Sequence, residues 1–157
     1  DLVELLKPFD CKILVYDIAY YKEFYEFWGI QALGLRELLS VADIITLHVP
    51  INSETTNLLS REKLALTKPG SILINTARGG LVDEVALKEC LITGRLAAAA
   101  FDVLAFEPSI DQELLSLPNF LITPHMGGSS EEAVLAMGRA AINGLQEFCE
   151  TIEDMST

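Results

Sequence analysis

The chain has few residues suited to chemistry. It has two histidines, His48 and His125, and 11 Lys and Arg against 23 Asp and Glu, for a net charge of −12. In so acidic a chain a bound anion needs a local positive charge. Arg78, beside Gly79 and Gly80, is the cation that draws attention. A planar guanidinium grips a carboxylate through two parallel hydrogen bonds. Two adjacent glycines permit close backbone approach or a positive φ. A histidine titrates near neutrality and can give or take a proton. Each of these residues also has a plainer reading. Arg78 fits a surface arginine before a helix, His125 a capping histidine near a helix start, and His48 a satisfied core histidine.

These residues follow apolar runs. Lys12 to Asp17 is a short apolar run ending in an acid, Asp43 to Val49 a second strand closed by Pro50, and Ser71 to Asn75 a third entered through Pro69-Gly70. Ala97 to Val103 is a fourth strand, whose alanines suggest tight packing, and Phe120 to Thr123 a fifth. Between them lie helical stretches. Residues 1–7 place Leu2, Leu5 and Leu6 on one face until Pro8. Residues 22–28 are amphipathic and aromatic-rich, and Leu35 to Leu39 is short. Ser60 caps a helix reaching Leu66, and Asp83 caps one that ends at Gly94. The last helix starts at Ser129 or Ser130, with Glu131 and Glu132 in its first turn and a stripe of Val134, Gly138, Ala141, Leu145 and Phe148.

Apolar strands alternating with helices predict an α/β fold, a parallel sheet covered on both faces. Arg78 then sits at the carboxyl end of the sheet, where ligands bind in open α/β folds. Among Tyr20, Tyr21, Phe24, Tyr25, Phe27 and Trp28, helical spacing favours core for Phe24, Phe27 and Trp28 over a partner surface.

Composition narrows the classes. A chain of 157 residues, half of them hydrophobic, suits one globular domain with a real core. Its negative charge argues against a nucleic-acid groove or an anionic membrane face. No apolar run reaches the roughly 18 residues of a membrane span. The first residues lack the basic start and long apolar stretch of a signal peptide. Cys11, Cys90 and Cys149 are far apart and in no metal-ligand spacing. No metal is expected, and reduced thiols fit a cytoplasmic setting.

Four segments together resemble the D-isomer-specific 2-hydroxyacid dehydrogenase family. They are Leu14-Val15-Tyr16-Asp17; Leu47-His48-Val49-Pro50; Asn75-Thr76-Ala77-Arg78-Gly79-Gly80-Leu81-Val82-Asp83; and Phe101-Asp102-Val103 with Glu107-Pro108 and Thr123-Pro124-His125-Met126-Gly127-Gly128. The order is the family's, over nearly the whole chain. The Arg-Gly-Gly-Leu-Val-Asp and Pro-His-x-Gly-Gly runs are the specific parts.

The resemblance implies a Rossmann-type doubly wound parallel sheet that binds NAD. It implies an oxidoreductase moving a hydride between nicotinamide and a small 2-hydroxy or 2-keto acid. Arg78 would hold the substrate carboxylate. His125 would exchange the proton with the carbonyl oxygen, with Glu107 on its other ring nitrogen fixing the tautomer. Asp17 would accept hydrogen bonds from the ribose hydroxyls and repel a 2′-phosphate, favouring NAD over NADP. Asp102 would bond the nicotinamide carboxamide. His48, Val49 and Pro50 would line the adenosine side, and Thr76, Ala77, Arg78, His125, Gly127 and Gly128 would also bind the cofactor. Position alone leaves Asp17 as a solvated acid at a strand end, Asp102 as a turn cap, and Val49 and Pro50 as a mere strand end.

The family's Gly-x-Gly-x-x-Gly turn has no counterpart here, since Gly29, Gly34 and Gly70 do not replace it. The expectation is a partial NAD-binding domain over residues 1–157, with the first strand and the substrate domain absent. Two other readings stay open. Some relatives are NAD-sensing transcriptional corepressors that can keep all three residues, and a fragment without the glycine turn would be inactive alone. A homodimer is implied by the resemblance only.

Overall fold

The computed structural model describes residues 1–108 and 111–155. They divide into two compact units, Asp1–Ile122 and Thr123–Thr157, each described by itself.

The first unit alternates helices and strands. Its elements are α1 (Leu2–Leu6), β1 (Leu14–Val15), α2 (Lys22–Trp28), β2 (Gln31–Ala32), α3 (Leu35–Val41), β3 (Ile44–Leu47), α4 (Arg61–Leu64), β4 (Ser71–Asn75), α5 (Glu84–Ile92), β5 (Leu96–Phe101), α6 (Gln112–Leu115) and β6 (Phe120–Ile122). Strands β3, β4, β5 and β6 pair in that order, all parallel. Strands β1 and β2 form a separate parallel pair. This is the expected Rossmann-type α/β architecture of the five apolar runs. The sixth strand, β2, and helix α6 are additional. Two residues are too few to show period-two alternation. Helix α6 is one turn, started by Asp111, whose side chain accepts from the Leu114 amide.

Alternation decides which face packs. In β3, Ile45 and Leu47 are buried while Ile44 and Thr46 are exposed. In β4, Ser71, Leu73 and Asn75 are buried and Ile72 and Ile74 half-buried. The buried set joins Leu39, Leu59, Leu64, Leu87, Leu91 and Leu114 in one core. Each fully buried leucine contributes about 1.5–3 kcal/mol relative to an exposed one. On the other sheet face Ile72 and Ile74 of the inner strand β4 are half-buried, while Ile44 and Leu121 of the outer strands are 59% and 65% exposed. Continuous apolarity marks a strand that can be buried on two sides; the helices that follow β3, β4 and β5 add Leu64, Leu87, Leu91 and Leu114 to one core.

Of the local expectations, the Asp83 cap and the glycine beyond α5 hold and others change. Asp83 caps α5 through the Ala86 amide, and Gly94 beyond its end has φ +74. Ser60 precedes α4, yet its hydroxyl donates to Glu62 rather than accepting from an amide, and α4 is a single turn ending at Leu64. Pro8 lies in a 3-10 turn, Lys7–Phe9, that extends α1 before Asp10 turns left-handed. Leu2 and Leu5 are exposed.

The aromatic group is not core. Tyr25 alone is buried, while Tyr20, Tyr21, Phe24 and Phe27 are exposed and Trp28 half-buried. Helical spacing does put Phe24, Phe27 and Trp28 on one face, but Phe24 and Phe27 stay exposed and Trp28 is half-buried, with Lys7 Nζ 5.7 Å from the Trp28 ring centroid. The rings meet one another instead, edge to face, with Phe27 and Trp28 centroids 5.2 Å apart and Tyr20 and Tyr25 5.1 Å apart.

The second unit is a short segment followed by α7 (Glu131–Met155). Ser130 is its cap, accepting from the Ala133 amide. Within its apolar stripe Val134, Leu145 and Phe148 are exposed. Cys11 is exposed and Cys90 half-buried, and the side chain of Cys149 lies outside the described residues. Among the described residues no helix is long and apolar enough to cross a membrane, and no group of three or more His, Cys, Asp or Glu could hold a metal ion.

Candidate functional site

Parallel strands in register end together. Leu47 pairs with Asn75, Asn75 with Phe101, and Phe101 with Ile122. The first residues beyond that row in this unit are therefore His48, Thr76 and Asp102. The register brings three of the sequence candidates to one edge of the sheet.

The turn after β4 is the most closely held part of that edge. Asn75 is 1% exposed, and a buried amide must find partners. Its Oδ1 accepts from the Ala77 amide at 3.1 Å and its Nδ2 donates to the Arg78 carbonyl at 2.9 Å. The turn is thus closed from inside by its own strand end. From outside, the Asn57 amide donates to the Gly80 carbonyl at 2.8 Å, the Leu59 amide to Leu81 at 3.0 Å, and the Asp83 amide to Leu59 at 3.1 Å. Gly80 takes φ +80, the left-handed region where glycine carries no penalty.

Gly79 has a different reason to be glycine. A Cβ there would stand 2.0 Å from the Leu104 carbonyl oxygen and 2.8 Å from the Ala105 nitrogen. The Arg78 turn is pressed, backbone to backbone, onto the turn that follows β5. Asp102 begins that turn, 7% exposed, with its amide donating to the Asn75 carbonyl at 3.0 Å. Glu107 ends it, its Oε1 accepting from the Leu104 amide at 2.8 Å, and the Glu107–Pro108 peptide is cis. Arg78 and Glu107 thus belong to two turns that touch.

Arg78 itself is exposed, and its guanidinium donates to its own neighbour, the Ala77 carbonyl, at 2.6 Å. A guanidinium has five donors, so this bond leaves most of its fork for a carboxylate. His48 is exposed beyond β3, with Nε2 3.0 Å from Thr46 Oγ1. Val49 packs against the core and the Pro50 carbonyl accepts from Thr55 Oγ1 at 2.7 Å.

The other candidates are carried by other elements. Asp17 is exposed just past β1, in the two-stranded sheet, with Oδ1 accepting from the Ala19 amide at 2.9 Å. Among the described residues no strand pairing ties β1 to the four-stranded sheet. His125, Gly127 and Gly128 are in the second unit. His125 has φ +51, its amide donating to the Thr123 carbonyl at 2.9 Å. A left-handed histidine is uncommon and marks a sharply shaped turn.

The donor set can be tested against a dinucleotide. Asp17 and Asp102 are acceptors at strand ends. They suit hydroxyl and carboxamide donors, and neither would hold a phosphate. That fits the ribose and nicotinamide ends of NAD. Two residues important to the geometry were not singled out from sequence, Asn75 and Glu84. Asn75 carried a signal: a buried-type strand ending in a polar residue asks where its amide is satisfied.

A parallel sheet presenting Arg78, His48 and Asp102 along its carboxyl edge defines a Rossmann-type ligand-binding domain. The sequence pattern of the D-isomer specific 2-hydroxyacid dehydrogenase, NAD binding domain, matches residues 1–127, and the chain belongs to that family. It is 45% identical over 138 residues to the D-3-phosphoglycerate dehydrogenase of Methanocaldococcus jannaschii, covering 87% of this chain and 26% of that protein. It is 43% identical over 119 residues to the glycerate dehydrogenase of Methylorubrum extorquens, covering 74% and 38%. The NAD-complexed structure of a D-isomer specific 2-hydroxyacid dehydrogenase from Lactobacillus delbrueckii ssp. bulgaricus superposes with a TM-score of 0.81 at 29% identity, covering 96% of this chain and 49% of that one. The chain thus spans 26–38% of the length of these two curated relatives.

Proposed function

We propose that the chain is the NAD-binding part of a D-2-hydroxyacid dehydrogenase acting on a small 2-hydroxy or 2-keto acid. The observation that carries this reading is the Arg78 turn. It places a guanidinium with a mostly unused donor fork at the carboxyl edge of the sheet, and it fixes the backbone beneath through Asn75 and Gly79. NAD supplies or accepts the hydride when bound. Arg78 grips the substrate carboxylate and orients the carbonyl. His125 holds the proton that the carbonyl oxygen gains on reduction, and Glu107 fixes the imidazole tautomer; the order of the motifs in the chain supports this pair. Asp17 takes the ribose hydroxyls, and Asp102 the carboxamide, which sets the face of the ring. His48, Val49 and Pro50 line the adenosine side, with Thr76 and Ala77 along the cofactor and Gly127 and Gly128 beside His125.

Arg78→Ala in the full-length protein tests the assignment. A carboxylate grip felt in the transition state is worth roughly 3–4 kcal/mol, so kcat/KM should fall on the order of 10²- to 10³-fold. NAD affinity should hold within about twofold, and Arg78→Lys should recover part of the loss, since an ammonium keeps the charge without the fork. Unchanged turnover in Arg78→Ala would remove the reading.

A further inference from the structure

Glu84 opens α5, one residue after the Asp83 cap and at the end of the same connector that carries Arg78. An acid in the first turn of a helix usually needs no more explanation than the helix dipole. Glu84 does something else. Its Oε1 leaves the helix and accepts from the Ala105 amide at 2.7 Å, in the turn after β5. The preceding amide, Leu104, is taken by Glu107 at 2.8 Å. Two successive amides of one turn are therefore held by two different carboxylates. On the opposite side the same two residues meet Gly79, whose missing Cβ allows the contact with the Leu104 carbonyl.

The arrangement is electrostatically costly, which argues for a use. Burial pushes the Glu84 carboxyl up, Asp111 and Glu107 nearby add to it, and the Ala105 amide opposes them. Lys88, the nearest cation on the same helix, is engaged by Asp111 and Glu113, each at 2.9 Å. Like charges side by side disfavour each other. A solvated side chain at this helix position would avoid that cost.

We propose that Glu84 is a positioning residue for Glu107: its carboxylate clamps the Leu104–Ala105 turn against the Arg78–Gly80 connector, so that the arms bearing Arg78 and Glu107 keep one mutual placement. The inference rests on the dehydrogenase reading above. Glu84 touches neither substrate nor cofactor in this scheme; it acts through the backbone of the turn.

The test uses the full-length protein with Glu84→Ala, Glu84→Gln and Asp83→Ala. Glu84→Ala leaves the Ala105 amide without its acceptor and should lower kcat about 10-fold, with KM and NAD affinity within about twofold. Glu84→Gln keeps an acceptor oxygen and should recover most of that kcat. Asp83→Ala removes the helix cap without touching the turn. It should lower the unfolding midpoint and leave kcat in place, which separates helix stability from positioning. If Glu84→Ala keeps full kcat, or if Asp83→Ala lowers kcat as much as Glu84→Ala does, the positioning role is overturned. Should Glu84→Ala fail to fold, Glu84→Gln decides alone: kcat near wild type supports the acceptor role, and a loss as large as that of Arg78→Ala opposes it. Arg78→Ala run in parallel keeps the two readings distinct. Its full activity removes the dehydrogenase assignment, whereas its inactivity beside a fully active Glu84→Ala removes only the present inference.

Discussion

The turn that carries Arg78 and the segment that carries Asp17 both follow strands of the same unit, yet they are built in opposite ways. The first is closed by the buried Asn75 amide, zipped to residues 57–59, and pressed onto Leu104 through Gly79. The second has an Asx-type bond from the Ala19 amide to Asp17, a long 3.4 Å bond from the Tyr25 hydroxyl to the Ala19 carbonyl and edge-to-face tyrosine rings, with exposed Ile18, Tyr20 and Tyr21 around it. The contrast matches the proposed tasks. A group that grips a reacting molecule must be held to within a fraction of an ångström. An acid that selects between two cofactors by charge needs only to be within reach.

Gly79→Ala is the hardest blow to the rigid side. The Cβ would meet backbone atoms, which cannot swing away as a flexible side chain can. The cost should be about 3 kcal/mol or more, read as a lower urea midpoint at constant slope. Residual activity in the folded fraction should fall as well, because the two turns would be forced apart. A variant with unchanged midpoint and turnover would show that the backbone contact does not set the site.

Asp17→Asn probes the loose side and should behave in the reverse manner. Stability should stay within about 0.5 kcal/mol, as for other exposed residues. The preference for NADH over NADPH should fall roughly 10-fold, since the carboxylate no longer repels a 2′-phosphate. Binding of the two dinucleotides followed by fluorescence measures it. An unchanged ratio would return Asp17 to a solvated strand end.

The two sides were also unequally legible. Arg78, the glycines beside it and the Asp83 cap could be read because their roles depend on residue type and on neighbours in the chain. The strands β3 to β6 could be read because apolar runs bounded by Pro and Gly leave little choice. What the helical face of Phe24, Phe27 and Trp28 packs against could not, because periodicity defines a face and is silent on its cover. The same limit explains the exposure of Ile44 and Leu121 on the outer strands of the sheet. Glu84 escaped for another reason: an acid after an N-cap already has a sufficient local explanation, and its bond to Ala105 spans 21 residues.

One further link joins α5 to the segment beyond β5, and it is ionic where Gly79 is steric. Lys88 Nζ lies 2.9 Å from both Asp111 and Glu113. The Leu114 amide and then Lys88 hold the Asp111 carboxyl below the usual range, and Asp111 and then Glu113 raise the Lys88 ammonium. The signs follow from linkage. A depressed acid stabilises above its unfolded value of about 3.9 and loses that contribution as pH falls through its folded value. A raised ammonium stabilises below its unfolded value of about 10.4 and loses that contribution as pH rises through its folded value. Lys88→Met keeps most of the stem and removes the charge. Its unfolding midpoint should sit slightly below wild type through the neutral range, and the gap should close below about pH 4 as Asp111 protonates. Because Glu113 is two-thirds exposed, the effect should be the smallest of those argued here. Urea unfolding at acid and neutral pH measures it. A gap that persists undiminished in acid would mean that the lysine stem, packed between α5 and α6, holds the link and that its charge does not.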